Sequence, residues 1–372
     1  MKPADIKKVL KRTMIPELTS KDFVSTGSTL LNLAFTDRPN RGFAKGLYYS
    51  LVGDTKSGKT FLSLTCFAEA TLNLNFAKHR LIYDNVENGA LMDIKKFFGT
   101  AVAKRIRPPA KDKNGLPVFS TTIEEFYDNL DDACRKNNPF IYVLDSMDGL
   151  SSDAEMDKFQ EDKKARRKNK DISGSYGDGK AKINSSHLRQ FINELNRLGS
   201  LLIVVSQTRA NFSGYGGKAH TGGHALPFYA SIEIMSSVKE LITKTYKGKK
   251  RAQGTLCKIR VKKNRVSGKD REVLIPIYTS IGIDDTGSCV DYLIDEKHWC
   301  RVKTKKEKAS VKKEDTEGSN IEAEEFEFIG TREELIQHIG DNNLEKDLRE
   351  IVADVWNDIE EAVQVRRKKR YE

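Results

Sequence analysis

Apolar positions in this chain gather into short, nearly unbroken runs, at residues 47–52 (LYYSLV), 80–84 (RLIYD), 140–146 (FIYVLDS) and 199–207 (GSLLIVVSQ). Continuous apolar character predicts strands covered on both faces, the pattern of a parallel sheet. Between these runs, apolar residues recur every three or four positions at 61–70, 122–136 and 183–198, which predicts helices. Alternation at 230–236 and 255–262, and a further run at 273–283, adds strands beyond the last of them. Strands alternating with helices predict an α/β fold with a mostly parallel central sheet. Residues 4–13 read as a short basic amphipathic helix stopped by Pro16, an arm that packs on its own core or on a neighbouring subunit. Residues 104–120, rich in Lys, Arg and Pro, read as a surface connection. Beyond Asp285 the pattern loosens into a charged linker (301–325), one or two short helices (331–365) and a basic tail at 366–370. The expected division is an arm (1–24), a core (25–285) and a C-terminal region (286–372).

The first predicted helix is preceded by Gly53-Asp54-Thr55-Lys56-Ser57-Gly58-Lys59-Thr60, a glycine-bracketed loop set between a strand and a helix. This is the P-loop pattern. Backbone N–H groups of residues 54–60 can wrap a phosphate, and the helix contributes its positive end. Lys59 supplies a charge to the outer phosphates and Thr60 a hydroxyl to Mg²⁺. Residues 53–60, with Phe61 behind them, are therefore the expected nucleotide contacts. Asp145 closes an apolar strand and fits the second element of such sites, which holds Mg²⁺. Asp84 also closes a strand, and Glu87 follows three residues on, at the edge where open α/β sheets bind ligands.

Lys and Arg number 64 against 53 Asp and Glu, giving +11 and an isoelectric point near 9.2, which points to a polyanionic partner. The excess is local. Between 158 and 182 there are nine Lys/Arg and four acids, so the 152–181 stretch reads as a loop that is either solvated or ordered by phosphates. Residues 208–220 mix cations with Phe212 and Tyr215, the combination that holds single-stranded nucleic acid. Residues 221–230 then open a helix whose first N–H groups are available to an anion. From 239 to 271 there are thirteen Lys/Arg and two acids, in a basic hairpin. Five scattered cysteines, none in CxxC spacing, fit reduced thiols in a cytosol-like compartment rather than a disulfide frame or zinc site. His187 and His220 lack metal-ligand companions and read as surface or loop residues. Trp299 and Trp356 read as a small core of the terminal region. The apolar runs are too short to span a bilayer and no apolar signal core opens the chain, so a soluble protein of the cytoplasm, with no membrane partner, is expected.

Together, Ser25-Thr26-Gly27-Ser28, the P-loop, the Glu87 region, VLDS at 143–146, the strand ending at Gln207, TGGHALPFYAS at 221–231 and Val261-Lys262-Lys263-Asn264-Arg265 resemble the RecA-type recombinase family, in its phage UvsX-like branch. The likeness runs from about Ser25 to Val302. It implies a RecA-like P-loop NTPase core with a short N-terminal arm and a small C-terminal α/β or helical domain, using ATP and Mg²⁺. Glu87 would polarise the attacking water, and Gln207 would sense the γ-phosphate and signal to the 208–220 loop. The 152–181 and 208–220 loops would face DNA, with Arg166, Arg167, Lys168, Arg209, Phe212, Tyr215, Lys218, Gly222 and Gly223 as contacts. Lys182 and Arg189, seven apart and so on one helical face, would hold strand phosphates. Lys263 and Arg265, alternating near a strand end with Asn264 turned away, would reach ATP on the adjacent subunit; the other reading is a solvated edge.

The implied activity is an ATP-dependent DNA recombinase that forms helical filaments on single-stranded DNA and pairs it with duplex. A single-strand-binding protein and a loading mediator are the further partners, and the host cytoplasm is the location if the source is viral. A hexameric helicase motor and an ATP-binding annealing or mediator protein share the core fold and remain as alternatives. The sequence departs from the family pattern in one extra residue between Asp84 and Glu87, which keeps Asp84 as an alternative base. It departs again in the basic tail, where bacterial members tend to be acidic.

Overall fold

The apolar runs become the middle of one large sheet. The computed structural model describes residues 18–87, 93–167, 179–210, 218–220, 225–303 and 320–367. In chain order its sheet strands are β1 (Tyr48–Gly53), β2 (Arg80–Asn85), β3 (Ile106–Arg107), β4 (Phe140–Asp145), β5 (Leu201–Ala210), β6 (Lys218–His220), β7 (Ile232–Tyr246), β8 (Lys249–Asn264), β9 (Arg271–Tyr278) and β10 (Gly282–Ile283). They lie in the order β10-β9-β8-β7-β1-β5-β4-β2-β3, with β6 folded back on β5. From β3 across to β7 every pairing is parallel. From β7 to β10 the sheet continues antiparallel. The α/β fold with a mostly parallel central sheet forms as expected.

Strand residues alternate between two cores, which explains the continuous apolar runs. Tyr49, Leu51, Ile141, Val143, Ile203 and Val205 face one layer, with α1 (Thr29–Thr36) and α2 (Lys59–Leu72). Tyr48, Tyr142, Leu144, Leu202 and Val204 face the other. That second layer holds α4 (Ile123–Arg135) and α6 (Gly179–Leu198), while α3 (Ile94–Arg105) lies between α2 and the sheet edge at β3. Helix α4 starts where Thr122 and Glu125 form a capping box.

The structure corrects several expectations. The 104–120 connection contributes an edge strand, β3, and a small hairpin of Ala110–Lys111 with Pro117–Val118. The first half of the supposed 152–181 loop is a helix, α5 (Asp153–Arg167), none of whose residues is buried. Ser152 and Glu155 exchange hydrogen bonds at its start, 3.0 and 3.2 Å, so a cap initiates it where burial could not. The rest of that stretch up to 178 lies outside the described residues, as do the 4–13 segment, most of the 301–325 linker and the end of the basic tail.

Beyond the short α7 (Ala225–Tyr229) and α8 (Asp285–Asp295), the strands β11 (Cys300–Val302), β12 (Asn320–Ala323) and β13 (Phe328–Gly330) form a three-stranded sheet. It is followed by α9 (Arg332–Asp341) and α10 (Glu345–Ala362). Trp299 and Trp356 do not form a separate small core: they belong to the cluster that runs on from the sheet and α1. Arg271 lies over the Trp356 ring at 5.0 Å and pairs with both Asp37 and Glu360, tying α10 to the sheet. His187 also departs from its reading, since it is half-buried on α6 and stacks on Tyr127 at 4.6 Å. All five cysteines are free, and only Cys300 is exposed. Among the described residues no helix is long and apolar enough to cross a membrane.

Candidate nucleotide site and the distant cations

Parallel strands end together, and the loops after β1, β2, β4 and β5 therefore meet at one edge of the sheet. Residues Thr55 to Phe61, Glu87, Asp145, Ser146 and Gln207 line a single cleft of about 610 Å³ at that edge. Phe61, Phe97, Ile277 and Tyr278 give the same cleft an apolar wall suited to a flat base.

The loop is shaped by two glycines. Gly58 has φ +80° and precedes α2, and a side chain there would strike Ile277 of β9. Gly53 passes so close to the Ser236 carbonyl of β7 that a Cβ has no room. Asp54 N–H donates to that same carbonyl at 3.1 Å, and the Ser57 hydroxyl donates back to the Asp54 carbonyl at 2.7 Å. The loop is thus curled and fixed by its own hydrogen bonds.

Lys59 is 8% exposed, and its ammonium donates to the carbonyls of Gly53 and Asp54 at 2.9 and 2.6 Å. Burial lowers its pKa, and the charges of Asp145, Asp148, Asp54 and Glu87 act against that shift. A buried cation held by neutral carbonyls inside a loop of N–H groups suits a phosphate. Asp145 is buried, and desolvation pushes its carboxyl up while hydrogen bonds from Thr60 and Tyr83 pull it down. The Tyr83 hydroxyl donates to Asp145 Oδ2 at 3.1 Å. Thr60 and Asp145 are hard oxygen donors placed together, which fits Mg²⁺ bound by few protein ligands alongside phosphate. Among the described residues no group of three or more His, Cys, Asp or Glu side chains could hold a metal alone.

Glu87 joins this site. Its Oε1 accepts from the Ser146 hydroxyl at 2.6 Å and from the Gln207 amide at 3.2 Å. Asp84, the alternative base, points into the opposite layer. It is fully buried, accepts from Ser120 N–H, Ser120 Oγ and Tyr142 OH at 3.0, 2.6 and 2.8 Å, and has its pKa raised by burial. Its role is to hold the 118–122 turn. Two links run from the cleft into β5: Gln207 N–H donates to Asp148 Oδ2, and the Thr208 hydroxyl donates to Asp54 Oδ1, both at 2.6 Å. Sequence reading did not single out Tyr83, Asp148 or Thr208. Their neighbours Asp84 and Gln207 were visible as strand-end residues, but contacts across strands leave no spacing signal.

Lys263 and Arg265 do not line the cleft. Lys263 pairs with Glu233, which pairs with Ser50 in the first half of β1, while Gly53 at its end pairs with Ser236. The two cations therefore sit at the other edge of the sheet, roughly 20 Å along β8 from Cys257 in the cleft wall at about 3.4 Å per residue. There Lys263 donates to the Pro227 and Phe228 carbonyls at 2.9 and 2.7 Å, and Arg265 to Phe228 at 3.2 Å. Burial, then repulsion from Arg265, lowers the Lys263 pKa. Asn264 turns inward and donates to the Phe35 carbonyl at 2.9 Å.

Lys182 and Arg189 are exposed on the face of α6 opposite its buried line of Asn184, Leu188, Phe191 and Leu195. Arg189 donates to the Tyr229 hydroxyl at 3.2 Å. Arg166 and Arg167 are exposed at the end of α5. Lys168, Phe212, Tyr215, Gly222 and Gly223 lie outside the described residues. Of Arg209 and Lys218 only the backbone is described, in the antiparallel β5–β6 pair.

Residues 135–284 match the family profile of the RecA N-terminal domain. The chain is 28% identical over 331 residues to Protein RecA of Helicobacter pylori (strain P12), covering 85% of this chain and 86% of that protein. Protein RecA of Nitratidesulfovibrio vulgaris (strain DP4) is 27% identical over 276 residues, covering 72% and 67%. A crystal structure of the RadB recombinase overlays 70% of this chain and 99% of its own at a TM-score of 0.45 and 15% identity.

Proposed function

We propose that this chain is a recombinase of the RecA family, a DNA-dependent ATPase that assembles on single-stranded DNA and drives homologous pairing and strand exchange with duplex, a reading supported by the profile match and the RecA relatives. One observation carries the assembly. The cleft with Lys59, Thr60, Asp145 and Glu87 is at one edge of the sheet, and the half-buried Lys263 and exposed Arg265 are at the other. A phosphate in the cleft of one protomer meets those cations only if a second protomer stacks head to tail. Such a contact is heterologous, and without closure it propagates as a helical filament.

Within the cleft, residues 53–60 and Phe61 hold ATP, with Lys59 on the outer phosphates. Thr60 and Asp145 hold Mg²⁺, which when bound neutralises charge developing on the phosphates. Glu87, fixed by Ser146 and Gln207, accepts the proton of the attacking water. Gln207 touches both Glu87 and Asp148 and continues directly into β5 and the 208–220 segment, a route by which the γ-phosphate biases the DNA-facing side. Lys182, Arg189, Arg166 and Arg167 contact phosphates, so binding is tolerant of sequence. Lys168, Arg209, Phe212, Tyr215, Lys218, Gly222 and Gly223 complete that surface.

The finer placement in the phage UvsX-like branch draws support from the motifs at 221–231 and 261–265 and from the basic residues at 366–370. A single-strand-binding protein and a loading mediator accompany that placement, as does the host cytoplasm.

The test mixes two proteins, each inactive alone: Lys59→Ala and the double variant Lys263→Ala/Arg265→Ala. Some interfaces in a mixed filament join an intact P-loop to intact cations, so part of the DNA-dependent hydrolysis returns. A mixture that co-assembles on DNA and stays inactive overturns the arrangement. Closed six-membered rings in the electron microscope, with unwinding of forked duplex, would identify a helicase motor instead.

A further inference from the structure

The outer half of the β7–β8 hairpin meets the cleft just described through Leu241 and Ala252 at its base, and residues 243–251 do not line it. The β8–β9 pairing begins at Gly254, so residues 243–252 project beyond the sheet, paired only with each other. All ten are exposed. Lys247 and Gly248 turn the ribbon with φ of 50° and 72°, the double positive φ that matches the natural twist of a tight hairpin. The ribbon is therefore a defined shape.

Its charge is one-sided in sign and concentrated on one face. Residues 239–253 hold six Lys/Arg (239, 244, 247, 249, 250, 251) and one acid, Glu240. Lys244 lies directly opposite Arg251, and Tyr246 opposite Lys249. Opposed residues share a face, as do residues two apart along a strand, so Lys244, Tyr246, Lys249 and Arg251 form one patch. Like charges placed directly across a ladder destabilise it. Among the described residues no carboxylate forms an ion pair with any of these three cations. A packed hairpin that keeps such a patch exposed is built for a polyanion supplied from outside.

We propose that this ribbon is a docking element for double-stranded DNA, separate from the 152–181 and 208–220 segments. A two-stranded ribbon has the width to enter the major groove of B-form DNA, and its cations reach phosphates from there. Single strands are held by successive aromatic platforms, whereas this ribbon offers one aromatic, Tyr246, already covered by Lys247 at 5.5 Å. Contacts are therefore to the duplex backbone and tolerant of sequence.

The experiment compares the full chain with Lys244→Ala/Lys249→Ala/Arg251→Ala, measuring the anisotropy of a labelled duplex and of a labelled single strand across a salt series. Direct binding is read, so the outcome is independent of whether the protein exchanges strands. The triple variant should bind duplex at least tenfold more weakly, with a slope of log affinity against log salt shallower by roughly 2 to 3, at about 0.9 per lost phosphate contact. Single-strand affinity should stay within about twofold, because the cations in that path are elsewhere. Lys244→Arg/Lys249→Arg should keep the duplex slope, which shows that charge and not hairpin collapse is being read. An unchanged duplex slope overturns the proposal. So does an equal loss for both DNA forms, or a change in oligomer size with duplex binding intact, which would make the ribbon a protein contact.

Discussion

The two edges of the central sheet both carry buried or half-buried cations, yet they treat them differently. At the cleft, Lys59 lies among Asp145, Asp148, Asp54 and Glu87, so positive and negative charges share one pocket. At the far edge, Lys263 and Arg265 repel each other and rest on the carbonyls of Pro227 and Phe228. The first arrangement is complete as a place for phosphate and metal. The second rests on neutral carbonyls, with Glu233 across the strand pair as a carboxylate acting on Lys263, and the geometry makes sense once another molecule brings a further anion. The outer β7–β8 ribbon repeats this second logic on a larger scale.

The largest effect separating the edges is expected from Lys59→Ala. It removes the buried cation of the P-loop, the other, Lys56, being exposed, and should lower DNA-dependent hydrolysis by at least ~10²–10³-fold. A fluorescent nucleotide analogue would show whether binding is lost as well. Hydrolysis within tenfold of the parent would mean that the outer phosphates lie elsewhere.

Next in size is the pair Glu87→Gln and Asp84→Asn, which tests the assignment that the extra residue between them left open. Glu87→Gln should retain ATP while hydrolysis falls about 10²–10⁴-fold, with filaments that persist. Asp84→Asn should act on folding instead, since its carboxylate accepts three buried hydrogen bonds, and should cost on the order of 1–3 kcal/mol in thermal unfolding. The reverse pattern would exchange their roles.

Asp145 gives a smaller effect with a sign. Its folded pKa is raised, so the native state holds a proton that the unfolded chain has already lost. Stability therefore falls as pH rises from the ordinary carboxylate range, near 3.8, through the raised value. Asp145→Asn should remove that fall and, without Mg²⁺, raise the thermal midpoint at neutral pH above that of the parent. The same variant should lose Mg²⁺-dependent activity. A variant less stable than the parent at neutral pH would show that Asp145 is held by its partners rather than strained by burial.

These contrasts also show where sequence reading succeeds. The P-loop, Asp145, Glu87 and Gln207 are visible because each ends or closely follows an apolar run that must be a covered strand. The position of Lys263 and Arg265 at the opposite edge was not, because it depends on β7 running parallel to β1 and β8 returning beside it. Helix α5 was hidden by composition: a charge-rich stretch with no buried face looks like a loop, and only the Ser152–Glu155 cap marks its start. The joining of Trp356 to the main core depends on Arg271 and Glu360, far apart in the chain.

The smallest expected effect concerns Tyr83, which sequence alone gave no reason to choose. Its ring is 5% exposed and packs near Phe67 at 6.5 Å, and its hydroxyl reaches Asp145 Oδ2. Tyr83→Phe keeps the ring and its packing while leaving Asp145 with the Thr60 hydroxyl as its remaining side-chain hydrogen-bond donor. A donor behind a metal-binding carboxylate fixes its orientation, and removing such a partner typically weakens metal affinity about 10–100-fold. The low end is expected here, because Thr60 still orients the carboxylate. The Mg²⁺ concentration for half-maximal hydrolysis should therefore rise about tenfold, while the rate at saturating Mg²⁺ stays near that of the parent. Lys263→Ala, which acts at the far edge, should leave the Mg²⁺ requirement unchanged and lower the rate at every Mg²⁺ concentration. If Tyr83→Phe instead lowers the saturated rate with no change in Mg²⁺ requirement, Asp145 is not the residue that holds the metal, and the cleft's charge pattern must be read again from Glu87 and Asp148.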